Sequence, residues 1–245
     1  MKRVLPFLPL LLLVACSDDG SSAVSTAAAS VPTTAAPATT STAPAPAPAP
    51  APVTFTAEVW ADNWFSLYVN GELVGEDSVP ITTERSFNAE TITFTATYPL
   101  TIAMVTKDFK QDDSGLEYIG TARQQMGDGG FIAQITDTST GKVVATTTTG
   151  WRGLVVHRAP LNTDCLSSAN PSTDCQHEIT PEPADWTSPT FDDSAWTAAI
   201  QYTAAEVGPK EGYDTITWSP AAALIWSGDL KIDNTILWRA TVTAG

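Results

Sequence analysis

The feature that most constrains the fold is a two-residue alternation of apolar with polar side chains, which begins at residue 53. The stretches VTFTAEVW (53–60) and TITFTATY (91–98) place apolar residues on one face and mainly threonine on the other. This period, carried by Val, Ile, Thr and aromatic residues, is typical of half-buried β-strands. Residues 236–242 alternate in the same way, and residues 131–145 predict a hairpin around the turn DTSTG.

Helical periodicity is weak in the same part of the chain. No window of residues 53–245 carries a long apolar stripe of the helical period, and the best helical candidate is one turn at 193–199. Short strands separated by turn signals predict an antiparallel β-sandwich. We therefore expect an all-β fold and a single domain over residues 53–245.

The stretch ADNWFSLYVNGELVGED (61–77) raises the question whether it is a binding site or a hairpin. Its first half alternates, so Phe65 is expected to point into the core and Tyr68 to point away from it. Asn70-Gly71 follows, and this dipeptide is the strongest short signal of a hairpin turn because both turn residues need a positive φ. We therefore interpret Asn70-Gly71 first as a turn.

The N-terminus has the pattern of an export signal. Lys2 and Arg3 precede an apolar stretch at 4–14, and its roughly 11 residues are too few for a membrane-spanning helix, which needs about 20. The sequence LVAC (13–16) resembles the lipobox of bacterial lipoproteins. That resemblance implies a signal peptide at 1–15, cleavage before Cys16 and lipidation of the Cys16 sulfur. An ordinary signal peptide that is cleaved elsewhere is the alternative.

Residues 16–52 are predicted to be a disordered linker that carries the lipid anchor. Ser17–Pro52 contains almost only Ser, Thr, Ala and Pro, and it closes with APAPAPAPAP, so it cannot bury a core. Alternating proline favours polyproline II at about 3.1 Å per residue, which would let the spacer reach roughly 100 Å. The expected location is a bacterial membrane, with the domain in the periplasm or outside the cell.

The charge limits the partners. The formal net charge is −15, and removal of Lys2 and Arg3 with the signal would make it −17. An acidic surface of this kind repels nucleic acids and anionic lipid headgroups. We therefore expect no nucleic-acid partner and contact with a membrane through the lipid anchor only.

Two cysteines remain after Cys16. An oxidising compartment would favour a disulfide between Cys165 and Cys175, worth roughly 3 kcal/mol in the chain-entropy model. The alternative is a metal pair with His157 or His177, but zinc-binding cysteines usually lie about two to four residues apart. We predict the disulfide.

Six motifs follow one another along the folded part of the chain: ADNWFSLYVNG (61–71), LTIAMVTKDF (100–109), GDGGFIAQITDTSTGKVVATTTTGWRG (127–153), FDDSAWTAA (191–199), LIWSGDL (224–230) and ILWRATV (236–242). Their order resembles galactose-binding-domain-like jelly rolls, which include the sugar-binding domains of glycoside hydrolases and carbohydrate-binding modules. The resemblance implies a jelly-roll β-sandwich over almost all of residues 53–245.

Two departures from the family limit what can be transferred. Gly150 stands where the family often has Asp before the tryptophan of the middle element, and the loops 107–128 and 153–190 are long. Ligand contacts in this family lie on variable loops, so the matching motifs are scaffold. We expect the residues of the FDDSAW motif to cap a turn and fill the core: Phe191, Asp192, Asp193, Ser194 and Trp196.

Aromatic residues in loops are the candidates for carbohydrate binding, because sugar C–H faces stack on aromatic rings while carboxylates bind hydroxyls. The segment VGPKEGYDTITW brings together Tyr213, Asp214 and Trp218, and Trp64 lies in another loop region. Core packing is the alternative for each of them. Four other tryptophans lie in strand-like or core motifs and are expected to pack: Trp60, Trp196, Trp226 and Trp238.

A structural calcium ion is a further expectation, because related jelly rolls often carry one and calcium prefers several oxygen ligands. The candidate ligands in the long loop between strands are Asp112, Asp113, Glu117 and Asp128. A solvated acidic loop is the alternative.

Three functions follow as hypotheses. The resemblance, the tether and the scarcity of catalytic motifs favour a non-catalytic module that binds a glycan or another cell-envelope component. A structural or protein-interaction module is the second hypothesis. The third is a hydrolase, or an accessory part of a carbohydrate-active enzyme, that uses Ser172, Asp174, His157 and His177 near the predicted disulfide.

Overall fold

The computed structural model describes residues 51–81 and 88–244. The predicted signal peptide, Cys16 and the linker up to residue 50 lie outside the described residues. The first strand begins at Val53, where the alternation begins, and the last strand ends at Val242.

The described chain is mainly strand. The first nine strands are β1 (Val53–Asp62), β2 (Trp64–Val69), β3 (Glu72–Glu76), β4 (Ala89–Ala96), β5 (Leu100–Lys107), β6 (Leu116–Glu117), β7 (Gln125–Met126), β8 (Gly130–Asp137) and β9 (Lys142–Thr146). The remaining six are β10 (Arg152–Arg158), β11 (Glu178–Ile179), β12 (Thr197–Ala198), β13 (Ile200–Tyr202), β14 (Leu224–Trp226) and β15 (Asp233–Val242).

The strands form an antiparallel β-sandwich. The first sheet has the order β13-β14-β8-β1-β4 with β9 beside β8, and the second has the order β11-β10-β15-β5-β2-β3 with β12 beside β10. The short strands β6 and β7 pair with each other. The all-β, antiparallel expectation is confirmed.

The core lies between the two sheets, and the alternation of the sequence explains it. Phe55 of β1 pairs with Phe94 of β4 in the first sheet, and their rings stack at 5.5 Å. Phe65 of β2 belongs to the same core from the second sheet, as predicted, and so does Leu67. The largest side chains of this core that are fully buried are Phe55, Phe65, Phe131, Trp226 and Trp238.

The two predicted hairpins are confirmed. Asn70 and Gly71 have φ values of 53° and 90°, so both turn residues are left-handed between β2 and β3. Gly141, with φ of 68°, closes the turn between β8 and β9. The opening question about residues 61–77 therefore has a structural answer: the segment forms a hairpin.

The outer face of the second sheet is covered by a segment without regular strands. Tyr68 points away from the core, as predicted, but its ring packs edge-on against Trp186 at 5.9 Å. Arg239 of β15, which is 3 % exposed, donates from Nε to Asp193 at 2.9 Å and from Nη1 to the carbonyl oxygen of Trp186. The covering segment 186–196 is thus fastened to the sheet by one buried guanidinium.

Helices are few and short. The predicted helical turn at 193–199 is wrong: Asp193–Trp196 forms one hydrogen-bonded turn, and β12 follows at once. The reason is that Asp192 accepts a hydrogen bond from the Ser194 backbone, which favours an isolated turn over a helix. The α-helices are α1 (Pro171–Asp174) and α2 (Ala204–Val207), and no helix of the described residues could span a membrane.

Candidate functional site

Long loops gather at one end of the sandwich, which we name the loop end. Here β1, β5 and β10 end, and β2, β8 and β15 begin. The strand pairing shows this, since Asp62 pairs with Gly130, and Lys107 pairs with both Trp64 and Thr235. The segments 108–129 and 159–177 connect strands at this end. Charged side chains at the strand ends are therefore brought together.

A disulfide holds one of these segments. Cys165 and Cys175 are bonded, with their Cα atoms 5.2 Å apart, as predicted. Both are buried, and they pack with Leu116 of β6 from the neighbouring segment. The disulfide therefore also supplies apolar surface to the packing of the loop end.

A cleft of about 380 Å³ opens beside the ends of β5, β10 and β15. We name it the His157 cleft. Its chemistry is mixed, since charged groups and apolar side chains share the lining: Lys107, Lys110, Asp113, His157, Ile179 and Glu182. Its volume falls within the roughly 300–1,000 Å³ that is usual for small-molecule sites.

The polar groups of the cleft are held in fixed positions. The Lys107 ammonium lies over the ring of Trp64 at 4.6 Å from its centroid, a cation–π contact. The Lys110 ammonium is 2.6 Å from Asp113 Oδ1. Trp64, one of the predicted carbohydrate-binding residues, therefore lies beside the cleft through its contact with Lys107.

A chain of hydrogen bonds fixes the tautomer of His157. Asn234 Nδ2 donates to Asp108 Oδ2 at 3.3 Å, so the Asn234 oxygen faces His157 Nδ1 at 2.9 Å. Because an amide oxygen only accepts, His157 Nδ1 carries the proton. His157 Nε2 is then a bare acceptor, and it has no hydrogen-bond partner within the described part of the chain.

The surroundings of this imidazole disfavour its charged form. Burial lowers the pKa of His157, and the Lys110 ammonium lowers it further. Asp113 Oδ1 lies 3.4 Å from His157 Nε2. The residues that line the cleft therefore carry two acceptors, His157 Nε2 and the Asp113 carboxylate, and two donors, the ammonium groups of Lys107 and Lys110.

The other predicted carbohydrate residues lie elsewhere. Tyr213 and Trp218 are neighbours, with ring centroids 6.0 Å apart, and Asp214 is exposed beside them. They lie on the outer face of the first sheet, where Tyr213 packs edge-on against the buried Trp60. The structure thus brings Tyr213, Asp214 and Trp218 together but leaves Trp64 on the second sheet, and the rings of Tyr213 and Trp218 serve packing.

The predicted calcium ligands do not converge. Asp112 accepts from the Ser114 backbone, and Asp113 pairs with Lys110. Glu117 accepts from Gln125, and Asp128 lies 3.6 Å from the Lys210 ammonium. No set of three or more His, Cys, Asp or Glu side chains among residues 51–81 and 88–244 is arranged to hold a metal ion.

The loop end does contain a group of carboxylates that shares Glu117 and Asp128 with the predicted calcium ligands. We name it the acidic centre: Asp62, Asp108, Glu117 and Asp128. Asp62 and Asp108 are 1 % and 2 % exposed. Burial raises the pKa of Asp108 well above its ordinary value, and the charges of Asp62 and Glu117 raise it further. Burial also raises the pKa of Asp62, while Lys210 opposes the rise.

The residues of the hydrolase hypothesis are not linked as a catalytic set. Asp174 accepts hydrogen bonds from the side chains of Ser168 and Thr173, and Ser172 is exposed. His177 is exposed and its ring stacks on that of His157, with centroids 6.2 Å apart. His157 itself donates to Asn234 rather than to a nearby carboxylate.

Sequence reasoning missed Asp62, Asp108, Lys107 and Asn234. Each of them lies at or next to the end of a strand, and they come together only when the sheets form. A signal was present in Asp62 and Asp108, since each follows an alternating or apolar stretch.

Comparisons with known protein-family models, with curated proteins and with solved structures gave no match.

Proposed function

We propose that the chain is an exported lipoprotein whose folded domain is a jelly-roll module that binds carbohydrate without catalysing a reaction. Its binding site is the His157 cleft, and its ligand is a glycan or a glycan-bearing component of the cell envelope. Cys16 carries the lipid, and the Ser/Thr/Ala/Pro spacer holds the domain away from the membrane.

The observation that carries the proposal is the buried nitrogen Nε2 of His157, which has no hydrogen-bond partner among the described residues. His157 lines the cleft and is 5 % exposed. A buried acceptor without a donor costs free energy, and a ligand hydroxyl would supply that donor. Asp113 and Glu182 add further acceptors, and Lys107 and Lys110 add donors. Alternating donors and acceptors beside apolar surface suit polyhydroxylated rings.

The topology supports the jelly-roll part of the proposal. Successive strands change sheet repeatedly, with β1 in the first sheet, β2 in the second, β4 in the first and β5 in the second. The last long strand, β15, lies between β10 and β5, so neighbours in the sheet are distant in sequence. Crossings of this kind are typical of jelly rolls.

A glycan array tests the proposal. The protein is the full chain with Cys16→Ser, which prevents the proposed acylation, and the array is read in calcium and in EDTA. We expect binding to a chemically related set of glycans in both buffers. A folded protein that binds no glycan in either buffer would contradict the proposal.

Matched variants locate the site. Lys107→Met keeps the aliphatic stem but removes a donor to the ligand, and we expect at least about a tenfold loss of affinity, the usual effect of losing a hydrogen bond to a charged group. Lys142→Met removes the same charge from an exposed position on β9 and should bind as the wild type does. Asp214→Asn tests the other face, and we expect no effect there.

A protein-interaction module is a second candidate, and one observation favours it. Leu161 and Ile179 are 44 % and 56 % exposed. Leu161 lies in the segment 159–177 that the disulfide holds, and Ile179 of β11 lines the His157 cleft. Capture of one specific protein, unchanged after that protein is deglycosylated, would favour this candidate over carbohydrate binding.

A further inference from the structure

The acidic centre contains a cation that belongs to the chain itself. Lys210 Nζ lies 3.7 Å from Asp62 Oδ2 and 3.6 Å from Asp128 Oδ1, so it bridges a buried carboxylate and a half-exposed one. Burial alone would lower the pKa of Lys210, but Asp62 and Asp128 outweigh that effect and raise it. The ammonium therefore remains charged where it lies.

The carboxylates beneath it have oxygens that need a cation or a proton. Asp62 Oδ2 and Asp108 Oδ1 are buried and have no hydrogen-bond partner among the described residues, and Lys210 forms an ion pair with Asp62. A Cβ atom on Gly127 would lie 2.4 Å from Asp108 Oδ2, so this glycine leaves room for the carboxylate. Two buried acids held this way require local charge balance.

Calcium does not fit this centre as it stands. No three of the described acids are arranged to hold a metal ion, and the ammonium of Lys210 already lies between the two carboxylates of Asp62 and Asp128. A calcium ion would need oxygen atoms at about 2.3–2.6 Å, closer than an ammonium at this site requires.

We propose that Lys210 is a built-in counter-ion that takes the place of a divalent metal ion at the loop end. This inference goes beyond carbohydrate binding and does not depend on it. The loop that carries Lys210 is also held at the next residue, because the carbonyl oxygen of Glu211 accepts a hydrogen bond from Trp60 Nε1 at 3.1 Å. The loop leads directly to Tyr213, so the ammonium anchors the segment that covers Trp60.

The consequence is a latent cation site that the lysine normally fills. Removing the charge leaves Asp62 and Asp128 facing the same space, and a divalent cation can then replace the ammonium. Wild-type stability is expected to be independent of calcium, and a variant without the ammonium is expected to depend on it.

Thermal unfolding of the full chain with Cys16→Ser tests this above pH 7. In EDTA, Lys210→Gln should lower the Tm by about 3–6 °C, the shift expected for a domain of this size when a partly buried ion pair is lost. Addition of about 10 mM calcium chloride should recover at least half of that loss, and sodium chloride of equal ionic strength should not. The wild type should show the same Tm in calcium and in EDTA.

Three further variants make the result specific. Lys210→Arg keeps a cation and should behave as the wild type does, and Lys231→Gln removes an exposed lysine as a matched control. If Lys210→Gln alone does not fold in EDTA, the double variant with Asp62→Asn removes the unbalanced acid and should fold without a response to calcium.

Two results would overturn the inference. One is a calcium-dependent rise in the Tm of the wild type, which would mean that a metal ion balances the acids while Lys210 is present. The other is a Lys210→Gln variant that is as stable as the wild type in EDTA. Neither result depends on whether the protein binds a glycan, so the two proposals can fail separately.

Discussion

Asp77 is expected to make the domain less stable as the pH rises, the reverse of the usual behaviour of a carboxylate. Asp77 follows β3 and is 4 % exposed. Its Oδ1 accepts from the Val79 backbone at 2.8 Å, whereas its Oδ2 has no partner among the described residues. Burial raises the pKa of Asp77 from 3.8 to about 6.

The size and sign of the effect follow from that shift. A carboxyl whose pKa is higher in the folded state holds its proton longer there than in the unfolded state, so the free energy of unfolding falls as the pH rises from about 4 through about 6. Each pKa unit is worth about 1.4 kcal/mol, so Asp77 alone accounts for roughly 1–3 kcal/mol. Asp62 and Asp108 act in the same direction.

Chemical denaturation at a series of pH values, from about pH 4 to about pH 7, measures this effect. We expect Asp77→Asn to be close to the wild type at the acidic end and more stable than the wild type by roughly 1–3 kcal/mol at the neutral end. Asp192→Asn is the control for the direction of the effect. The pKa of Asp192 is lowered, not raised, because its carboxylate accepts a hydrogen bond from the Ser194 backbone. Parallel curves for Asp77→Asn and the wild type would refute the reasoning.

Three other predictions concern the scaffold. Replacing Cys165 and Cys175 with serine should lower the free energy of unfolding by about 2–3 kcal/mol in denaturant titrations, because the bridge closes a short loop. Gly71→Val should cost about 1–2 kcal/mol in the same titrations, since a β-branched residue at a φ of 90° is strained, whereas Gly228→Val at an open position serves as the comparison. Arg239→Met should cost about 3–5 kcal/mol and increase proteolysis within 186–196, and unchanged cleavage would contradict the fastening role of Arg239.

The strands could be predicted because their pattern is local. In β4 the threonines at 91, 93 and 95 are exposed and Phe94 is buried, so the alternation directly records which side faces the core. The hairpin turn at Asn70-Gly71 was equally predictable, because this turn needs two residues with positive φ and few dipeptides adopt that conformation. The disulfide was predictable from the number and spacing of the cysteines.

The cover of the second sheet could not be predicted in the same way. Segment 186–196 has no repeating pattern, and its position depends on Arg239, which lies more than forty residues further along the chain. Trp186 lies outside the regular strands, and it is only 8 % exposed because it packs against Tyr68 and Trp196. Tertiary contacts of this kind leave little trace in local sequence.

The functional end was harder still. Asp62, Asp108 and Lys210 come from three separate parts of the chain, and their approach follows from the strand pairing rather than from any motif. Sequence reasoning selected acids close together in one loop as calcium ligands, but Lys110 and Lys210 pair with two of them. His157 was noted only as a catalytic or metal candidate, since its tautomer depends on Asn234 in β15.

Nitrogen NMR of the imidazole groups tests the central claim most directly, and it is tractable because the chain has two histidines. Without ligand, we expect His157 to be neutral with its proton on Nδ1. When a glycan that binds on the array is added, the Nε2 resonance of His157 should shift as this atom accepts a hydroxyl hydrogen bond. A glycan that binds while both nitrogen resonances of His157 stay unchanged would show that the site lies elsewhere and would contradict the account.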